Sequence, residues 1–196
     1  MFKNQFSKPL MLLFISFIFI TGCLQAQSLK VNSKTSTMTI YGTTNVHDFK
    51  SKVTQIKGEV VVSSSKKIQS LNVEIPVRSI KSGEKGMDTK TYEAFNEGKF
   101  PTISFQLVDA SSLQINGDDI SVTVTGNLTM AGATRRISFK TTGKNLKPGA
   151  YEFKGSIALK MTDFKMKPPT AMLGVMKVGD AITLKFDINV EGAAIN

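Results

Sequence analysis

Apolar and polar residues alternate along most of the chain after residue 36, a pattern typical of β-strands with one buried face. The clearest run is 182–190, where five apolar residues alternate with four polar ones. Shorter runs of the same kind begin near residues 38, 56, 71, 103, 120, 137 and 151. The pattern therefore predicts about eight strands.

Turn sequences separate several of these runs, for example residues 116–119 (NGDD), 131–133 (AGA) and 147–149 (KPG). Residues 88–97 break the alternation and place Tyr92 and Phe95 at helical spacing. Asp88 is a candidate N-cap and Gly98 a stop, so a single short helix is predicted there. Residues 162–179 form the longest stretch without alternation.

Consecutive strands with one wet face favour an antiparallel sheet. Eight of them close most simply into a barrel, which leaves no exposed edge. The predicted fold is all-β: a single eight-stranded antiparallel, lipocalin-like barrel with one short helix, over residues 30–194. A two-sheet sandwich is the alternative, and it would bury the same face.

The N-terminus is typical of an export signal. Lys3 and Lys8 precede residues 10–20, an eleven-residue stretch that is apolar apart from one serine and too short for a membrane-spanning helix. Residues 20–23 (ITGC) resemble a lipobox, which would lipidate Cys23 and end the signal at residue 22. Residues 24–26 (LQA) resemble an ordinary cleavage site, which would end it at residue 26. Both routes predict a periplasmic protein, attached to a membrane through a lipid anchor in the first case.

Charge and rare residues exclude several function classes. The chain has 25 Lys and Arg against 15 Asp and Glu, and removal of Lys3 and Lys8 leaves 23 against 15, a net charge of +8. The lysines are scattered between strands, so nucleic acid is not an expected partner. Cys23 and His47 are the only cysteine and histidine, so neither a Cys–His pair in the barrel nor a zinc cluster is available. We expect no enzyme and no cofactor.

The apolar face predicts either a filled core or a cavity, because side chains alone can fill a barrel of this size. Four glycines, Gly42, Gly58, Gly126 and Gly155, fall in the inward register, which favours empty space, although glycine there also permits a bend or bulge. The predicted lining residues are Phe105, Val124, Leu128, Phe153, Ile157, Leu184 and Phe186, with Gly126 and Gly155 leaving room beside them.

Four methionines, Met161, Met166, Met172 and Met176, cluster in the long irregular stretch. Thioethers suit Cu(I), but they also adapt to apolar ligands. We interpret the cluster as lid or core, with a Cu(I)-handling protein as an alternative function. Arg135 and Arg136 are candidates for contact with a phosphate head group, although an outward strand position is the more usual explanation.

Five segments, read together, resemble the YceI-like family of exported lipid-binding proteins. They are VRSIKSG at 77–83, KFPTISF at 99–105, VTGNLTMAGATR at 124–135, MTDF at 161–164 and VGDAI at 178–182. The resemblance implies a lipocalin-like barrel that binds a polyisoprenoid or quinone-like lipid in its interior. A structural or interaction domain with a filled core is the alternative.

Two positions depart from that family pattern. The stretch 86–97 is short and lacks histidine, and Lys165 stands where a glycine is usual after Asp-Phe. Both lie in connections between strands, so the resemblance supports the fold more strongly than it supports the identity of the lipid.

Overall fold

The structure is a computed structural model that describes residues 26–63 and 65–193, without the side chains of Ala171 and Met172. The predicted export signal, apart from Ala26, and the candidate lipidation site Cys23 lie outside the described residues. The strands are β1 Gln27–Val31, β2 Thr37–Thr44, β3 Asp48–Val53, β4 Lys57–Val62, β5 Ile68–Pro76, β6 Ile80–Lys81, β7 Thr102–Asn116, β8 Asp119–Met130, β9 Ala133–Lys147, β10 Ala150–Lys160, β11 Thr170–Ala171 and β12 Met176–Gly192.

The strands form one antiparallel sheet that closes on itself. Neighbours follow the order β1, β4, β5, β7, β8, β9, β10 and β12, and β12 returns to pair with β1. Strands β2 and β1 lie one after the other along the same side of β12, and β3 and β4 do the same along β2 and β1. With each of these two pairs counted as one, the ring has eight strands. The predicted barrel is confirmed and the sandwich is not.

The alternation of the sequence becomes the inside and outside of this barrel. Along β8, every second residue from Val122 to Met130 is buried. Along β12, Ile182, Leu184 and Phe186 all face the interior. Bulky β-branched and aromatic residues at these positions suit a pleated surface with one dry face.

Four strands were not predicted: the two-residue strands β6 and β11, and the strands β1 and β3. β1 is short, and β3 (DFKSKV) has serine at the middle of its three inward positions, so the apolar period is interrupted. Both strands pair along their length with strands that the alternation did predict. Pairing with neighbouring strands therefore stabilises β1 and β3, although their own sequences do not show the alternation of a strand.

The predicted helix exists but starts and ends earlier than expected. Helix α1 spans Lys85–Phe95 and ends at Asn96, which adopts the left-handed conformation. The N-cap is Glu84 and not Asp88, which lies in the first turn; the Asp88 carboxylate accepts hydrogen bonds from the Ser82 N–H and hydroxyl, both at 2.7 Å. The Asp88 side chain, which was predicted to cap the helix, instead stabilises the turn that leads into it.

Short 3-10 helices occupy Val77–Ser79, Met161–Phe164 and Met172–Gly174. The last two lie with β11 in the non-alternating stretch, at the same end of the barrel as α1. We name this the helix end. The turns between β7 and β8 and between β9 and β10 lie at the opposite end. Within residues 26–63 and 65–193, no helix is long and apolar enough to cross a membrane.

Candidate functional site

The barrel encloses a cavity of about 200 Å³, which we name the inner cavity. Side chains from every strand of the closed ring contribute to its wall. All seven residues predicted from the sequence line it: Phe105, Val124, Leu128, Phe153, Ile157, Leu184 and Phe186. The structure thus brings the predicted set together, and their contact with a ligand stays a prediction.

Among the residues that the structure describes, the wall of the inner cavity is almost entirely apolar. Of its thirty lining residues, only Thr141 has a polar side chain. Thr141 is 5% exposed, and its hydroxyl donates a 2.8 Å hydrogen bond to the backbone carbonyl of Lys154. Because this buried hydroxyl is already paired, it does not require a hydrogen bond from a ligand. A space of this kind stays dry and accepts apolar matter.

Three phenylalanine rings cross the interior in a row. The ring centroids of Phe105 and Phe139 are 5.8 Å apart at an interplanar angle of 57°. Those of Phe139 and Phe186 are also 5.8 Å apart, at 78°. Tilted and edge-to-face contacts of this length are favourable for aromatic pairs. The row runs from β7 through β9 to β12, and all three rings contribute to the wall of the inner cavity.

The glycines do not leave the room that their inward register predicted. The ring of Phe105 lies over Gly126, where an added Cβ would also come within 2.6 Å of the Gln106 carbonyl oxygen. The ring of Phe186 covers Gly155 in the same way. Each glycine accommodates an aromatic ring from the adjacent strand. The prediction of empty space beside Gly126 and Gly155 is therefore wrong, and the cavity lies between the other side chains.

The two remaining inward glycines are also covered by neighbouring side chains. The ring of Phe49 lies over Gly42, and the side chain of Val31 lies 2.7 Å from where a Cβ of Gly58 would be. Because all four glycines share this environment, glycine at these positions is explained by close packing.

A second pocket of about 300 Å³ opens at the helix end, and we name it the outer pocket. Ile40, Ile80, Phe95 and Ile182 line both spaces, so these four side chains form a partition between them. The outer wall is mixed in character, because α1 and the stretch 161–178 contribute charged, hydroxyl and thioether groups. Its polar residues are Thr44, His47, Ser51, Glu84, Lys90, Thr91 and Thr170.

Three of the four predicted methionines, Met161, Met166 and Met176, line the outer pocket, and the side chain of Met172 is not described. Met87 joins them from α1, and His47 from the turn after β2. Among residues 26–63 and 65–193, no three His, Cys, Asp or Glu side chains gather as a metal site. The thioethers give the pocket an adaptable apolar wall.

His47 lies in a tight turn that is held by Thr44. The Thr44 Oγ1 accepts hydrogen bonds from the backbone N–H of Val46, at 3.1 Å, and of His47, at 3.0 Å, and donates one to the His47 carbonyl at 2.7 Å. This geometry gives the turn a defined shape at the rim of the outer pocket.

Ionic and hydrogen-bonding contacts fix the elements around the outer pocket. Arg78 donates two hydrogen bonds to Glu97, at 2.8 and 3.0 Å, which raises the pKa of the Arg78 guanidinium. The Asp180 carboxylate accepts bonds from the Thr162 N–H at 2.8 Å and hydroxyl at 2.7 Å. These two bonds lower the pKa of Asp180 below its ordinary value. They hold the 3-10 helix Met161–Phe164 against the start of β12.

Three lining residues were not predicted from the sequence: Phe139 and Thr141 of the inner cavity, and Ser51 of the outer pocket. Phe139 and Thr141 share the inward register of Ile137 on β9, so the alternation carried the necessary signal. The outer pocket carried no such signal, because it is assembled from segments far apart in the chain.

The fold and the two adjoining spaces define a class of protein: a closed antiparallel barrel with an apolar interior and a mouth of mixed polarity. The profile of the YceI-like domain matches residues 29–190. The chain therefore belongs to the YceI-like family, which confirms the resemblance drawn from its motifs.

Individual relatives are more distant. A UPF0312 protein of Pseudomonas paraeruginosa is 35% identical over 89 residues, which cover 43% of this chain and 44% of that protein. The match therefore spans less than half of the relative's length.

Solved structures share the fold at low identity. A polyisoprenoid binding domain from Saccharophagus degradans, implicated in plant cell wall breakdown, has a TM-score of 0.66 at 13% identity and covers 84% of this chain and 98% of its own. BcnA of Burkholderia cenocepacia has a TM-score of 0.64 at 20% identity, covering 81% and 98%. The Campylobacter jejuni YceI protein has a TM-score of 0.59 at 18% identity, covering 72% and 83%.

Proposed function

We propose that this chain is an exported binding protein that sequesters or carries an apolar lipid, polyisoprenoid or quinone-like, inside its barrel. The inner cavity carries the proposal, because 29 of its 30 lining residues are apolar and the remaining one, Thr141, is already hydrogen-bonded. Each CH₂ group moved from water into such surroundings contributes about 0.8 kcal/mol. An alkyl or prenyl chain therefore binds without polar contacts.

The comparison with relatives supports the same class of ligand. The Saccharophagus degradans domain is described as polyisoprenoid-binding and has the same fold. At 13% identity this likeness supports the architecture, and the choice of an apolar lipid rests on the cavity of this chain.

The volume of the cavity bounds how much lipid it holds. An engineered cavity of roughly 150 Å³ in another protein binds benzene, which has six carbons. By that measure, about 200 Å³ accommodates roughly eight carbons, close to two isoprene units. A longer chain would extend past the partition into the outer pocket, or displace side chains inside the barrel.

Export is part of the proposal, and it is supported by the sequence before residue 27. We expect the mature N-terminus at Cys23 or Gln27. Metabolic palmitate labelling of the full chain separates the two routes, because only the lipobox route labels the protein and responds to globomycin. A soluble mature protein that retains residues 10–20 would contradict both routes.

Organic extraction of the purified full chain, followed by mass spectrometry, tests the binding function. We expect about one equivalent of an apolar lipid per chain. Delipidated protein should then bind a short prenyl compound such as geraniol. A chain that releases no lipid and binds no prenyl compound would favour the filled-core interaction domain, and a copper ion in place of a lipid would favour the Cu(I) alternative.

A further inference from the structure

Three exposed apolar side chains lie on two neighbouring turns at the helix end. Among residues 26–63 and 65–193, the large apolar side chains with the greatest exposure are Leu173, which is fully exposed, Val175 at 69% and Val46 at 64%. Val46 lies between β2 and β3, and the other two lie between β11 and β12. We name these three residues the apolar tip. Single apolar residues on a surface are ordinary, whereas a group at one place marks a contact site.

Asn45 holds the two turns together. Its side-chain amide donates a 2.9 Å hydrogen bond to the Val175 carbonyl, and its Oδ1 accepts a 2.8 Å bond from the Lys177 N–H. The Asn45 N–H also donates to the Lys177 carbonyl at 3.1 Å. These bonds fix the apolar tip as one surface. Since His47 and Met176 of the same two segments line the outer pocket, the tip borders the mouth of that pocket.

The backbone of Leu173 adopts the left-handed conformation, at φ 55° and ψ 30°. This conformation is unfavourable for leucine, because its Cβ crowds the neighbouring carbonyl oxygen. The side chain gains no burial in return, since it is fully exposed. A leucine with both properties points to a role in contact with a partner.

The stretch that contains this turn is basic. Residues 164–179 include Lys165, Lys167 and Lys177 and no aspartate or glutamate. Phe164 and Met166 are buried, so the lysines that alternate with them face outwards, and all three lysines are exposed. Exposed lysines next to apolar side chains complement a surface that is anionic outside and apolar beneath.

Acidic residues border this stretch without entering it. Asp163 and Asp180 lie at its two ends, where it joins the 3-10 helix Met161–Phe164 and β12. The Asp180 carboxylate is engaged by the Thr162 N–H and hydroxyl. Without Lys3 and Lys8, the chain as a whole has 23 Lys and Arg against 15 Asp and Glu, so its net charge also favours an anionic partner.

We propose that the apolar tip docks this chain onto the surface of an anionic lipid bilayer. Leu173 and its two neighbours enter the boundary between headgroups and acyl chains, and the lysines contact the headgroups. Docking in this orientation places the mouth of the outer pocket against the bilayer. The inference goes beyond the proposed function, because the surface is the same whatever the barrel holds.

Tryptophan fluorescence tests the orientation, because the chain contains no tryptophan. Leu173→Trp places a single reporter in the apolar tip. Leu146→Trp is the matched control, since Leu146 is 55% exposed and lies next to the turn between β9 and β10, at the opposite end. The full chain of each variant is mixed with vesicles of phosphatidylglycerol and phosphatidylethanolamine. We expect the emission of Leu173→Trp to shift to shorter wavelength and that of Leu146→Trp to stay unchanged.

Two further variants separate docking from folding. Leu173→Asn removes the apolar side chain and suits the left-handed backbone, so it should weaken vesicle binding about tenfold while the melting temperature stays equal or rises. Lys167→Gln should weaken binding about fivefold, and Lys144→Gln at the opposite end should leave it unchanged. Sedimentation with the vesicles measures both. Vesicles of phosphatidylcholine alone should bind more weakly and show no effect of Lys167→Gln.

Several outcomes would overturn docking through the apolar tip: a shift of Leu146→Trp alone, equal shifts of both reporters, no shift of either, or equal binding of the wild type and Leu173→Asn. A shift of Leu173→Trp that needs no vesicles and grows with protein concentration would also overturn it, in favour of a second copy of the chain. The proposed function fails separately, because organic extraction tests the lipid in the barrel without any vesicle.

Discussion

The inner cavity and the outer pocket share a partition of four side chains but are built in different ways. The inner cavity is formed almost entirely by the inward faces of regular strands, and its one polar side chain is paired within the protein. The outer pocket draws on α1, a turn and the irregular stretch before β12, and seven of its described lining residues have polar side chains. The regular part of the barrel is thus uniformly apolar, and the irregular part combines apolar side chains with polar ones.

The largest effect should come from filling the inner cavity. In Val124→Phe the added ring would occupy space equivalent to three or four CH₂ groups of ligand, a loss of about 2–3 kcal/mol, or roughly 30- to 150-fold in affinity. Thr123→Phe is the control, because Thr123 lies on the outer face of the same strand. Isothermal titration with geraniol measures both. Equal affinities in the two variants would place the ligand outside the inner cavity.

The next effect concerns Gly126 and Gly155, each of which is covered by an aromatic ring from the adjacent strand. Gly126→Ala should destabilise the fold by about 1–3 kcal/mol, because the new Cβ would meet the backbone carbonyl of Gln106 as well as a ring. Gly155→Ala should cost less, since its nearest neighbours are atoms of the Phe186 side chain alone. Urea denaturation of the two variants gives the difference.

A double-mutant cycle sharpens that prediction. Phe186→Leu should recover part of the loss in Gly155→Ala, because the obstructing ring is removed. Phe105→Leu should recover less in Gly126→Ala, where the backbone contact remains. Fully additive effects in both cycles would show that the rings and glycines are not coupled.

A smaller effect is expected where α1 is attached to the barrel. The Tyr92 hydroxyl accepts a bond from Lys81 at 2.7 Å and lies 3.2 Å from the Ile80 carbonyl. Tyr92→Phe should lower stability by about 0.5–1.5 kcal/mol and speed ligand dissociation, because α1 carries Phe95 of the partition. Thermal melts and stopped-flow displacement of geraniol measure the two quantities. A lower melting temperature without faster dissociation would show that the attachment of α1 does not control ligand exchange.

The smallest effect is a dependence on pH at the helix end. Because its hydrogen bonds to Thr162 lower the pKa of Asp180 from its ordinary value of 3.8, the ionised carboxylate stabilises the folded state above that value. This contribution is lost as the pH falls through the lowered pKa. Melting temperatures between about pH 5 and 2 should therefore fall less steeply for Asp180→Asn than for the wild type. Identical slopes in the wild type and in Asp180→Asn would show that Asp180 does not contribute to the pH dependence of stability.

Sequence reasoning reached the barrel and the inner cavity because both follow from a period of two residues. Val124 and Leu128 face the same space for the same reason that they alternate with threonine and asparagine. The prediction of empty space beside Gly126 was wrong, because the alternation shows only which way a residue points. It does not show that a side chain of the next strand, Phe105, fills the space over this glycine. Sequence reasoning missed Ser51 because a single serine interrupts an apolar period, and only pairing with β2 restores that strand.

The pairing of β1 with β12 sets Leu29 opposite Gly192, so the ring is closed by the first and last strands of the described chain. Neighbours such as β8 and β9 are hairpins that can form locally, but this closure requires contacts of very high sequence separation. Such contacts slow folding, because loop-closure entropy is lost before the contacts stabilise the chain. We therefore expect the apolar inner face to remain open until β12 has been synthesised and docked, which makes the unfinished chain dependent on protection from aggregation.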